Sequence, residues 1–166
     1  DATPACAALA RWHQLADQGG LPLRIEGDPA TLDLLPPPAG AAVQDAVAEA
    51  IRNAVRHSRA GGVSVTLAWS PPTLTVLVDD DGVGFDGPVR ADGGVQRSII
   101  DPCRACGVQA EVRSSPGAGT RVRLSWRGLP AGPPAEALPA GPPAQVLPAA
   151  GPAAPGAPTR PPDVFA

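Results

Sequence analysis

Two apolar periods, 3.6 and 2, alternate along residues 1–128. Ala5 to Gln18 predicts a helix. Leu21, Leu23 and Ile25 alternate with Pro22, Arg24 and Glu26, which predicts a strand. Ala39 to His57 predicts a long helix, ended by Gly61 and Gly62. Val63, Val65, Leu67 and Trp69 alternate with Ser64, Thr66 and Ala68. A Ser70-Pro71-Pro72-Thr73 turn then leads into Leu74 to Val78, which is apolar on both sides. Val108, Ala110 and Val112 form a further strand. After the tight turn Ser115-Pro116-Gly117-Ala118-Gly119, Val122, Leu124 and Trp126 form the last one. Most of these strands are apolar on one side only, so the sheet needs cover on one face. The predicted class is an α/β (α+β) two-layer sandwich, with helices on one face of a mixed, mostly antiparallel sheet.

Composition changes this picture near Gly128. From Leu129 the chain repeats LPAGPPAEA, LPAGPPAQV and LPAAGPAAP. Proline lacks the backbone donor and glycine adds entropy, so residues 129–166 are expected to be a disordered or polyproline-like tail behind a domain at 1–128. Aromatics make up only 3%, which leaves the core to Val, Leu, Ile and Ala. A net charge of -3 argues against nucleic acid or an anionic membrane surface as a partner. No apolar run approaches the roughly 18 to 20 residues of a membrane span. With no Met, the chain is expected to be a piece of a longer protein, one free to carry a membrane anchor elsewhere. Three cysteines and no secretory signal suit a reducing compartment, and a cytoplasmic location is expected. Cys103 and Cys106 form a lone CxxC, expected as two small residues in or beside a helix rather than a zinc site.

Candidate chemistry starts on the long helix, at Ala46 to Ser58. At about 100° per residue, Asn53 lies roughly 40° from Glu49, His57 about 80°, and Arg56 about 20° on the other side. Val43, Val47, Ile51 and Ala54 share the opposite face. An ordinary amphipathic helix also has a polar face. This one, however, combines an amide mid-helix with a carboxylate and two basic groups. Asn offers a neutral oxygen to Mg²⁺, and Glu can accept a proton.

The strand ending at Val78 runs into Asp79-Asp80-Asp81-Gly82-Val83-Gly84-Phe85. Glycines beside an acidic group let a flat ligand approach the main chain, and the carboxylate suits an exocyclic amine. A hairpin turn or a Ca²⁺ loop would read similarly. Ser114 to Thr120 is a second glycine turn, which by itself is only a hairpin.

In this order, the three pieces resemble the ATP-binding domain of bacterial sensor histidine kinases. That domain belongs to the Bergerat-type superfamily that includes gyrase, the ninety-kilodalton heat-shock chaperone and mismatch-repair ATPases. EAIRNAVRHSRA is similar to its asparagine box, DDDGVGF to its first glycine box, and PGAGTRVRLSW to its last glycine box and final strand. The resemblance runs from about Leu9 to Trp126 and implies a fold of helices on a mixed sheet, with ATP and Mg²⁺ as ligands. It implies Glu49 as general base, Asn53 as the Mg²⁺ ligand, and Arg56 and His57 toward the phosphates, with His57 counted among the catalytic residues. It also implies Asp80 as acceptor of the adenine amine, Gly82 and Gly84 as shapers of the pocket, Gly94 as part of a further glycine box, and Thr120 near the adenine. The implied partners are a dimerisation domain carrying the phosphoacceptor histidine and, indirectly, a response regulator. Only His13 and His57 are present, and His13 lacks the acidic residue that follows the family's phosphoacceptor. Pro102 departs from the pattern and is expected to break or kink the helix after Gly94. The alternatives left standing are an anti-sigma-factor-type serine kinase and a non-catalytic ATP-binding (pseudokinase) module.

Overall fold

The computed structural model describes residues 3–128; the repeats expected to form a tail lie outside the described residues. Helix α1 (Pro4–Gln18) starts with Thr3, whose hydroxyl accepts from the Cys6 amide, and Pro4 takes the first turn, where no donor is needed. Strand β1 is Leu23–Glu26, shorter than its alternation suggests. Leu21 donates its amide to the Ala16 carbonyl at 2.9 Å, closing α1, so it is not available to a sheet. A 3₁₀ turn (Pro29–Leu34), capped by Asp28, leads to α2 (Pro37–Asn53).

Helix α2 continues as a π turn, Ala54–Ser58, and ends at Arg59, a left-handed residue with φ 51°. The helical span therefore ends at Ser58, one residue past the expected His57, and Arg59 rather than Gly61 and Gly62 supplies the stop. Both glycines instead donate their amides to Asp81 Oδ1, at 2.8 and 3.1 Å. Strands β2 (Val63–Ser70) and β3 (Thr73–Asp80) form a hairpin with Ser70 opposite Thr73. A second π turn, Gln96–Ile100, runs directly into α3 (Asp101–Ala105). Pro102 does not break this stretch. It occupies the first turn of α3, where its missing donor costs least, and the π turn before it absorbs the mismatch. Strands β4 (Gln109–Ser115) and β5 (Gly119–Arg127) complete the described residues. Val108 resembles Leu21: its amide bonds the Cys103 carbonyl at 2.9 Å, and the strand starts one residue later.

The five strands lie in the order β1-β2-β3-β5-β4, with β1 parallel to β2 and all other pairs antiparallel. The parallel pair requires a crossover, and α2 provides it. Leu74, Val76 and Val78 of β3 are buried, whereas Thr75 and Leu77 are half-exposed on the other face. So β3, expected to be apolar on both sides, is covered on one like its neighbours. Trp12, Val47, Ile51 and Val65 are fully buried between the layers. Trp12 stays buried because its indole N–H donates to the Gln44 carbonyl at 3.2 Å. Cys103 is buried in α3 with its thiol toward the Ala42 carbonyl, and Cys106 caps that helix. Among the described residues no helix is long and apolar enough to cross a membrane.

Candidate functional site

Strand register builds the floor of a cavity. Val78, Val122 and Val112 stand side by side across β3, β5 and β4. Two residues along each strand, Asp80, Thr120 and Ser114 form a parallel polar row on the same face. The Ser114 and Thr120 hydroxyls lie 3.0 Å apart, and the Phe85 amide donates to Ser114 Oγ at 2.8 Å. The valine row, Asp80 and Thr120 line a cavity of ≈ 320 Å³. Glu49, Ala50 and Asn53 of α2 and His57 of the π turn after it form its side, and Gly94, Val95 and Ile99 close it from the segment leading to α3. An apolar slot of this size with a few polar groups is the usual form of a small-ligand site.

The three aspartates at the end of β3 divide their work. Asp79 pairs with Arg121 at 2.5 Å on the open face of the sheet. Asp81 holds the loop after α2. Asp80 faces the cavity, and its Oδ1 accepts from the Gly82 amide at 2.9 Å. Burial lifts the Asp80 carboxyl above the ordinary carboxylate value. Hydrogen bonds from the Gly82 and Thr120 backbones pull the other way, and the charges of Asp81 and Asp79 add to the rise.

The glycine loops meet backbone to backbone. Gly84 has φ +63°, and a Cβ there would stand 2.1 Å from the Ser115 carbonyl oxygen. Gly119, at φ +76°, leaves no room beside the Asp80 carbonyl. The Gly117 amide donates to the Val83 carbonyl at 2.7 Å. These contacts join the two loops beside the Asp80–Thr120 register pair.

Of the residues singled out in the sequence, Glu49, Asn53, His57, Asp80, Gly84, Gly94 and Thr120 line the cavity. Gly82 and Arg56 do not. Gly82 is buried and acts through its bond to Asp80. Arg56, exposed like His57, does not line the cavity, although the sequence placed it nearest Glu49. The π turn explains this: its wider winding advances less than 100° per residue, which swings Arg56 away and brings His57 round toward Glu49. The apolar walls were missed, although the matching alternation of Val78, Val122 and Val112 was a signal for them. Arg52, ion-paired to Glu49 at 2.7 Å, was missed as well.

A family model described as histidine kinase-, DNA gyrase B-, and HSP90-like ATPase matches residues 40–129, more than half of the chain. The chain belongs to this ATPase family. The matched stretch holds all nine residues discussed above, and ATP is the ligand that membership of this family implies for the domain. An uncharacterized sensor-like histidine kinase of Chloroflexus aurantiacus is 32% identical over 85 residues, covering 47% of this chain and 14% of the relative. The blue-light activated histidine kinase of Erythrobacter litoralis EL346 superposes with a TM-score of 0.59 at 19% identity, covering 71% of this chain and 39% of that one. The Acinetobacter baumannii histidine kinase AdeS gives 0.56 at 14%, covering 73% and 61%. The mycobacterial sensor histidine kinase MprB gives 0.54 at 15%, covering 74% and 93%. These superpositions establish the ATPase-family fold of helices on one face of a mixed sheet. The chain spans only a small part of the curated relative.

The donor set suits a magnesium nucleotide. The Asn53 side chain has no hydrogen-bond partner among the described residues, which leaves its oxygen free for a hard cation. The Asp80 carboxylate retains acceptor capacity beyond its backbone bonds.

Proposed function

We propose that this chain is the ATP-binding catalytic domain of a two-component sensor histidine kinase, with residues 1–128 as the nucleotide-holding unit. One observation carries the reading: Asp80 and Asn53, from elements far apart in sequence, face one cavity with a valine floor between them. The floor and the Ile99 side of the slot receive the flat base. Asp80 accepts from its exocyclic amine, beside the Thr120 hydroxyl. Asn53 offers its oxygen to Mg²⁺, and His57 lies on the same side for the phosphates. Arg56, exposed nearby, is free to reach over them. Glu49 is the general base toward the phosphoacceptor histidine. When bound, Mg²⁺ neutralises phosphate charge; the protein contributes position, desolvation and fixed dipoles.

The histidine that receives the phosphoryl group belongs to a separate dimerisation domain, and a response regulator takes the group from there. The site is expected to work in the cytoplasm. No feature of the cavity favours the serine-kinase or non-catalytic alternatives. Calorimetry of the folded chain with Mg-ATP tests the reading. Saturable binding at millimolar or tighter affinity is expected, and a flat titration would sink it. Labelling of a cognate dimerisation domain from ATP, lost in Asn53→Asp, tests turnover.

A further inference from the structure

Glu49 has a partner one turn further along α2. Arg52 Nη1 donates to Glu49 Oε2 at 2.7 Å. Exposed ion pairs are common and weak. This pair differs in that its side chains keep only 31% (Arg52) and 23% (Glu49) of their exposure. Glu49 lines the cavity and Arg52 does not, so the guanidinium holds the carboxylate from outside the ligand's space. Arg56, the basic residue expected beside Glu49, forms no ion pair among the described residues.

The consequence is electrostatic. A triphosphate carries several negative charges, and its outer phosphate must share the α2 end of the cavity with a carboxylate. The second carboxylate, Asp80, already sits across the floor. A bare Glu49 would repel the ligand through a poorly screened medium. The geometry points to Arg52 as a positioning residue: it fixes the Glu49 rotamer and offsets its charge, so that a nucleoside triphosphate is tolerated next to the proton acceptor. This inference rests on the proposed Mg-ATP reading of the cavity. It separates the triphosphate from the diphosphate, because only the former has a phosphate near Glu49.

The test is calorimetry of the full chain with Mg-ATP and Mg-ADP at one ionic strength, with thermal melts to establish folding. Arg52→Met should weaken Mg-ATP about tenfold and Mg-ADP less than about threefold, as expected for one unscreened charge several ångströms away. Arg52→Lys should retain most of the affinity. Adding Glu49→Gln to Arg52→Met should restore Mg-ATP binding to within about twofold of Glu49→Gln, since the repulsive charge is gone. If Arg52→Met does not fold, Arg52→Gln carries the same comparison. Equal losses for both nucleotides, unrelieved by Glu49→Gln, would show a merely structural role and overturn the inference. A wild-type chain that binds neither nucleotide would overturn the Mg-ATP reading, and this inference with it.

Discussion

A Cβ on Gly84 would lie 2.1 Å from the Ser115 carbonyl oxygen, so the loop after β3 and the turn between β4 and β5 are in backbone contact. That contact sets one edge of the cavity and depends on Gly84 having no side chain. Gly84→Ala should lower stability by roughly 1–3 kcal/mol from the left-handed backbone alone, with the steric clash adding to it. Gly117 provides the control. It also has positive φ, at 76°, but a Cβ there meets nothing within 4 Å. Thermal melts should rank Gly84→Ala well below Gly117→Ala. Equal melting temperatures would mean that the two loops do not touch.

Asp80 should set stability against binding. Its folded value is raised by burial, so the folded protein holds the proton more tightly than the unfolded chain does. Its contribution to stability is therefore fully present below the ordinary carboxylate value and is lost as pH rises through the raised one. Asp80→Asn removes that loss and still accepts from the Gly82 amide. At pH 7 the variant should melt higher than the wild type while its Mg-ATP heat disappears. In the wild type, Mg-ATP binding should weaken as pH falls through the raised value and the carboxylate takes a proton. A variant that melts lower at pH 7 would contradict the assigned sign.

The Asn53 side chain is half-buried and makes no hydrogen bond within the protein among the described residues. Asn53→Ala should leave the melting temperature nearly unchanged, since no internal bond is lost. Affinity for Mg-ATP should drop roughly tenfold or more, the scale of a contact to a charged group. The gain in affinity on adding Mg²⁺ to ATP, measured against a chelator, should vanish. Its survival would remove Asn53 from the metal.

The thiols should react in order of burial. Cys6 is exposed, Cys106 is half-buried and Cys103 is buried, its thiol pushed up to about 11 first by burial and then by the nearby Cys106. An alkylating thiol reagent at pH 8 should modify Cys6 quickly and Cys106 more slowly, with Cys103 silent until denaturant is added. Mass spectrometry of the labelled peptides reads this directly.

Short-range spacing made the elements legible. Helix and strand periods depend on neighbours two to four residues apart, so the buried stripe of Val43, Val47 and Ile51 and the inward valines could be read from the chain itself. The order of the three boxes pointed to the nucleotide. Where each element ended was less visible: Leu21 and Val108 have strand character, but their amides close helices. Pro102 read as a break because the neighbouring π turn leaves no mark in composition.

Tertiary structure decided what depends on register and winding. The parallel pairing of β1 with β2, and the meeting of Val78, Val122 and Val112 in one row, join residues distant in sequence whose pairing no local pattern specifies. The π turn after Asn53 decided that His57 rather than Arg56 turns to the cavity, because a change in winding displaces every later side chain. By the same logic Arg52, unremarkable in the sequence, is the residue beside Glu49: the fold half-buries the pair, and the cavity gives its charge something to act on.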